Sequence, residues 1–410
     1  MRYLKRIGLN ADPFRTPVAE QEISASEDIS EFYNYYYPNE TPGQESTTPN
    51  WLRTESHHLI YGLPGAGKTT TRLNLELDCR TVLDGTLAVT DLFGQEETEP
   101  VTIEDHVLRI VQAAAVDLVI QVIEQVTPED LPFSPQQLDL LRAQVRLGGV
   151  ALQRMLHNLT EAISEQSHSI DALHKSRAGL GIFWPRVGRY PVRYIGSSNA
   201  LKQLLAVIRK PGRADWPIDL SPAAPPGFEA LWQSVEAARA WGYQRIFILL
   251  DGVDARVREP AQMHRLVAPL IEHLVIFQEK KIYFKMFLPL EIKPLVAEQI
   301  ERIPGLNSMV RDATIQWNQQ TLHQLLIQRF RAAGSQTINS LDVLAGDDLE
   351  RGLEQPIMEL AQGSPRKMLT YVSQLINAHV SHRGDQLKID RGDWDRMKKF
   401  ARRLPAEPNQ

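Results

Sequence analysis

The stretch Tyr61-Gly62-Leu63-Pro64-Gly65-Ala66-Gly67-Lys68-Thr69-Thr70 constrains this chain more than any other. It matches G-x-x-x-x-G-K-[ST] at every fixed position, and its flanks agree with a strand-loop-helix unit. Leu59-Ile60-Tyr61 is a short apolar run that reads as a strand, and Thr70 to Leu77 reads as a helix. Gly62, Gly65 and Gly67, spaced by Pro64 and Ala66, let the backbone curl so that its N–H groups face phosphate oxygens. The helix start at Thr69 and Thr70 adds the positive end of a dipole. Lys68 is placed to reach the β- and γ-phosphates, and the Thr69 hydroxyl to ligate Mg²⁺. The expectation is a nucleotide-binding site.

A second anchor follows far along the chain. Ile246-Phe247-Ile248-Leu249-Leu250 is a continuous apolar run ending in Asp251-Gly252-Val253-Asp254. Such a run predicts a central parallel strand buried on both faces. A carboxylate at its carboxyl end suits an Mg²⁺ held jointly with Thr69, which assigns the metal to Thr69 and Asp251. Asp254 is placed to orient or deprotonate an attacking water. Further strands are expected at 86–90, 282–288 and 313–317, which makes a five-stranded parallel sheet. Asp91, just after the second of these, sits where ligands bind at the carboxyl edge of a parallel sheet; it reads as the start of a loop, with positioning a water as the alternative. Lys285, inside the fourth, reads either as reaching toward the phosphates or as snorkelling at a strand flank.

Between these anchors residues 101–227 read as a helical insertion, with helices near 104–126, 136–146, 150–165 and 197–209. Ser134-Pro135-Gln136-Gln137 has the form of a capping box with proline at the first helical position. The segment Trp184 to Tyr194 interleaves three arginines with aromatic residues, a composition open to nucleic-acid contact or to a basic surface loop. Beyond residue 317 the pattern is helical: 319–332, 348–362, 364–379 and 390–403. In Gly363-Ser364-Pro365-Arg366 the glycine stops one helix, while Ser364 and Pro365 start the next. Arg366 therefore projects from a first helical turn and is suited to pin a γ-phosphate. Arg302 and Arg311 are candidates for an arginine offered to a neighbouring subunit. The terminal helix carries Arg396, Lys398, Lys399, Arg402 and Arg403, which read as a solvated face.

The expected division is 1–58 as an N-terminal linker, 59–317 as the core with its insertion, and 318–410 as a helical lid. The aromatic group Phe32, Tyr33, Tyr35, Tyr36 and Tyr37 is expected to pack into the core. The single cysteine, Cys79, excludes an intrachain disulfide and a cysteine-based zinc site. A net charge of −5, no apolar leader after the basic start, and an apolar run at 107–126 interrupted by Arg109, Asp117 and Glu124 predict a cytoplasmic protein with no membrane partner.

With these motifs in hand, the chain resembles the additional-strand P-loop ATPases, the AAA+ and STAND groups. GLPGAGKTT is similar to their Walker A, ILLDGVD to Walker B, and GSPR to a sensor-2-type arginine motif at the start of a lid helix. The resemblance covers roughly residues 55–95 and 230–380 and leaves the insertion unaccounted for. It implies an α/β P-loop NTPase fold, a three-layer core with a parallel five-stranded sheet, a helical insertion and a C-terminal helical lid. It also implies ATP as substrate, Mg²⁺ as cofactor, and Lys68, Asp251, Asp254 and Arg366 as catalytic residues. AAA+ enzymes usually carry Asp-Glu at the end of the third strand, where this chain has Asp251-Gly252. The NACHT-like Asp-Gly-x-Asp pattern hands the water-activating role to Asp254 and implies a slow regulatory switch. Self-assembly or a separate effector protein is the implied partner, in a defence or signalling system. No full winged-helix domain is expected in the residues after Arg366. A DNA-associated loader or transposition-type regulator, and a nucleotide-binding structural subunit with little turnover, are the alternatives.

Overall fold

The computed structural model describes residues 2–15, 18–19, 22, 34–37, 50–93, 102–125, 133–165, 199–208, 227–255, 257–334, 338–384 and 386–403. In chain order the elements are α1 (Arg2–Arg6), β1 (His57–Gly62), α2 (Lys68–Thr81), β2 (Thr86–Leu92), α3 (Ile103–Gln125), α4 (Pro135–Leu147), α5 (Gly149–Glu165), α6 (Asn199–Ile208) and α7 (Phe228–Ala240). They continue with β3 (Arg245–Asp251), α8 (Pro260–Glu272), α9 (Leu274–Glu279), β4 (Ile282–Pro289), α10 (Lys293–Arg302), β5 (Val310–Ile315), α11 (Gln319–Ala332), α12 (Glu354–Ala361), α13 (Pro365–Arg383) and α14 (Arg391–Arg403). The fold is α/β, with five parallel strands in the order β2-β3-β4-β1-β5. The chain divides into two compact units, one of Met1–Pro49, Tyr61–Asn74 and Thr314–Gln410, the other of Asn50–Ile60 and Leu75–Ala313.

In the second unit the sheet follows from apolar runs. All eight residues of β4 and all but the first of β3 are buried, as strands covered on both faces must be. Register pairs Val89 with Ile248 and Ile248 with Phe284. β2 ends the strand order, so its outer backbone groups lack a strand partner. Helix α3 supplies them instead. Asp117 Oδ2 accepts from the Thr90 N–H at 2.7 Å, and the Gln121 side chain bonds both the Ala88 N–H at 3.3 Å and the Ala88 carbonyl at 2.6 Å. The polar residues that interrupt an otherwise apolar helix are thus its means of closing a sheet edge. The stretch Ile103–Ile123 is long and apolar enough to cross a membrane, yet 89% of its most apolar 18-residue window is buried inside the protein, as in a core helix.

Asp91, expected to begin a loop, instead lies within β2 and is buried. Its carboxylate meets Arg109 of α3 through both oxygens, Nε to Oδ1 at 2.8 Å and Nη2 to Oδ2 at 2.9 Å. The guanidinium also stacks 4.0 Å over the Phe93 ring. Lys285 follows neither expected course. It is fully buried, and its ammonium donates to the carbonyls of Thr54 (2.7 Å) and Ser56 (2.9 Å) and lies 2.9 Å from His58 Nδ1. Thr54 and Ser56 precede β1 and His58 lies within it, so Lys285 fastens β1 and the segment leading into it onto β4. Burial holds its pKa well below the usual lysine value.

Three histidines of this unit, His57, His58 and His106, are fully buried, and burial lowers each pKa to about 3. Lys285 adds to the shift for His57 and His58, and Arg109 for His106. Because the folded values lie below the unfolded ones, protons bind the unfolded chain first as pH falls. The contribution of these three histidines to stability is therefore complete above about pH 6.5 and is lost progressively on acidification. The expected result is a lower urea midpoint at pH 5.5 than at pH 7.5; an unmoved midpoint contradicts it.

In the first unit the N-terminal residues are part of a core rather than an approach segment. Tyr3, Leu4, Ile7, Leu9, Phe14 and Tyr35 pack into one apolar cluster with residues of α11 to α14. Tyr35 and the partly buried Tyr37 thus meet the expectation of core packing, whereas Phe32 and Tyr33 lie outside the described residues. Arg329 of α11 clamps this segment by pairing with the Glu22 carboxylate and donating to the Pro13 carbonyl at 2.9 Å. His379 is fully buried; its Nδ1 lies 2.8 Å from Asp393 Oδ2 and its Nε2 3.0 Å from the Gln386 carbonyl, so both ring nitrogens are engaged within the core. The expected helix at 348–362 is shorter, starting at Glu354, because Asp342 Oδ1 caps the Leu353 and Glu354 N–H groups. On α14 Trp394 and Met397 turn inward, while Lys399, Arg402 and Arg403 are exposed. The basic segment 184–194 lies outside the described residues.

Candidate functional site: a phosphate loop against a helix start

Strand β1 is buried throughout and ends at Gly62, where the loop begins. Gly65 has φ +77° and Gly67 φ +99°, conformations that L side chains rarely adopt. A Cβ on Gly67 would meet nothing within 4 Å, whereas one on Gly65 would come within 2.9 Å of both Ser364 Oγ and Arg366 Cβ. The first requirement is therefore conformational only, and the second is also one of space. Helix α2 opens at Lys68, so Thr69 and Thr70 sit in its first turn, as the motif predicts.

The carbonyls of the loop are held by specific donors. Lys68 Nζ donates to the Gly62 carbonyl at 2.8 Å and reaches the Leu63 carbonyl at 3.4 Å. The Ala66 N–H closes a turn onto the Leu63 carbonyl at 3.1 Å, and the Thr71 N–H bonds the Gly67 carbonyl at 2.9 Å. With its ammonium folded against the loop that surrounds it, Lys68 is largely buried.

The start of α13 packs on this loop. Ser364 caps the helix by accepting from the Lys367 N–H at 3.3 Å, and Pro365 occupies its first turn. The preceding residues, Gln362 at φ +49° and Gly363 at φ +76°, reverse the chain out of α12. The Arg366 N–H then lies 3.4 Å from the Gly65 carbonyl, and the side chain is exposed. Of the residues expected at the site, Gly62, Pro64, Gly65, Ala66, Gly67, Lys68, Thr69, Thr70 and Arg366 belong to this one unit. A residue not singled out in the sequence joins them. Trp317, expected as the end of β5, lies past it, and its indole N–H donates to the Ala66 carbonyl at 2.7 Å.

In the other unit Asp251 is the last residue of β3, and its Oδ1 accepts from the Gly252 N–H at 2.8 Å. Gly252 has φ +84°, and a Cβ there would lie 2.9 Å from the Phe93 carbonyl oxygen. Any side chain at that position is therefore excluded by both conformation and space. The Ala255 N–H bonds the Gly252 carbonyl at 2.9 Å, which closes the turn carrying the half-buried Asp254. Arg302 pairs with Glu298 on its own helix at the surface, and Arg311 is exposed.

Among the described residues no group of three or more His, Cys, Asp or Glu side chains gathers to hold a metal. The donor types expected for Mg²⁺, the Thr69 hydroxyl and the Asp251 carboxylate, are hard oxygens and suit an ion that keeps most of its water. Comparison of the chain with protein-family models, curated proteins and solved structures finds no match.

Proposed function

We propose that this chain is a regulatory ATPase of the AAA+/STAND kind that binds Mg-ATP, hydrolyses it slowly, and uses the nucleotide state to control self-assembly or partner binding. One observation carries the reading. The first turn of α13, with Arg366, packs directly on Gly65 of the phosphate loop, so a triphosphate seated in that loop would meet the lid helix. Two further observations support it. Strand β4 stands between β1 and β3, the arrangement that the term additional-strand describes. The backbone at Gly252 has no room for the glutamate usual at that place, which favours Asp254 as the water-positioning residue and a slow rate.

In this reading the loop N–H groups and Lys68 bind the phosphates, and Thr69 and Asp251 would hold Mg²⁺. That ion would offset charge on the β- and γ-oxygens when bound. Arg366 reads the γ-phosphate through its guanidinium fork. Arg366→Ala is expected to abolish ATP-dependent protection of α13 in limited proteolysis while leaving ADP affinity within about threefold, since only the γ-phosphate contact is removed. A variant that keeps the full ATP-dependent protection would remove Arg366 from the switch.

A further inference from the structure

The loop carbonyl of Ala66 is held from outside the loop by Trp317, and we infer that Trp317 is a positioning residue that orients the Gly67 N–H for anion binding. The inference rests on the nucleotide-site reading above and adds a residue to it. A peptide unit is planar and trans, so its C=O and its N–H point in opposite directions. Fixing the Ala66 carbonyl on the indole therefore fixes the Gly67 N–H to face away from Trp317. At 2.7 Å this is a short N–H···O bond, at the strong end for a neutral pair. Gly67, with φ +99°, carries no side chain, and a Cβ there would meet nothing within 4 Å, so no side-chain packing at this residue helps set that plane. The indole provides what the glycine lacks.

The indole is itself held in place. Trp317 packs against the apolar cluster of its unit, its ring centroid is 6.5 Å from that of Tyr37, and Asn318 immediately after it caps α11. Its own carbonyl lies 3.1 Å from where a Cβ on Gly363 would stand, at the turn leading into Ser364 and Arg366. Trp317 thus bonds the phosphate loop through its side chain, and its carbonyl lies beside the Gly363 turn that leads into the lid helix. The Gly62 and Leu63 carbonyls are held by Lys68 and loop backbone, that of Gly65 by the Arg366 N–H, and that of Gly67 by the Thr71 N–H and hydroxyl. The indole N–H is the donor that a substitution can delete while an aromatic ring remains.

The test is equilibrium dialysis of labelled ATP and ADP against the full chain, as wild type, Trp317→Phe and Arg366→Ala. Loop N–H groups cradle the α- and β-phosphates shared by both nucleotides. Trp317→Phe should therefore weaken ATP and ADP together by about five- to tenfold, the loss of one well-placed hydrogen bond, with their ratio unchanged. Arg366→Ala should weaken ATP alone. If Trp317→Phe melts like wild type and binds both nucleotides within about twofold of wild type, the inference is wrong. If wild type binds neither nucleotide, the site reading fails and takes this inference with it. Independently of the variant's folding, indole N–H exchange in the wild type should be slow for Trp317 with and without ADP. Exchange as fast as that of a solvent-facing indole would overturn the assignment.

Discussion

Arg109→Met is expected to lower the unfolding free energy by about 3–5 kcal/mol, read from the urea transition of the full chain. The magnitude comes from what is left behind. Asp91 is 1% exposed, and removing the guanidinium leaves its carboxylate buried within β2 with the ion pair gone. Methionine replaces much of the volume and the contact with Phe93, so packing loss adds little. The double variant Asp91→Leu with Arg109→Met removes both charges and should recover most of the loss, because a buried pair is worth little more than its apolar replacement. A single variant within about 1 kcal/mol of wild type would show that Asp91 relaxes into solvent or finds another donor.

Asp254→Asn is expected to reduce phosphate release from ATP by about 10²-fold or more, the usual contribution of a positioned base, while ATP affinity changes less than about threefold. Gly252 leaves no place for an acid directly after Asp251. With φ +84° and the Phe93 carbonyl 2.9 Å from a would-be Cβ, this residue cannot carry the acid that AAA+ enzymes place there. The next carboxylate is Asp254, held in the turn closed by the Ala255 N–H on the Gly252 carbonyl. Asparagine keeps the size and the hydrogen-bonding capacity of that side chain but can no longer take a proton. Unchanged turnover in Asp254→Asn, with turnover present in wild type, would assign the water to another group.

Much of the fold was legible because strong local patterns coincide with the elements they predict. Ile246 to Leu250 is an unbroken apolar run and forms the buried β3; Ser134 to Gln137 forms the capping box of α4 that its residues spell out. Gly363 to Arg366 ends one helix and starts the next as read. What escaped the sequence depends on partners distant in the chain. Nothing near Lys285 says that its ammonium belongs to the carbonyls of Thr54 and Ser56. Asp117 and Gln121 look like interruptions of an apolar helix until the strand order shows β2 at an edge. Trp317 reads as strand because aromatic residues favour strands, and its bond to Ala66 spans most of the chain. A strand at the end of the sheet whose outer N–H and C=O groups need partners, and a phosphate loop needing outside support, are the signals that could have prompted a search for these residues.

The phosphate loop and the lid helix are expected to respond together to the nucleotide. Hydrogen exchange of segments 61–70 and 364–372, compared without nucleotide, with ADP and with Mg-ATP, tests this most directly. ADP should slow exchange in the loop, whereas ATP should slow it in the loop and in the first turns of α13 together. Exchange in both segments that is the same with and without nucleotide would contradict it.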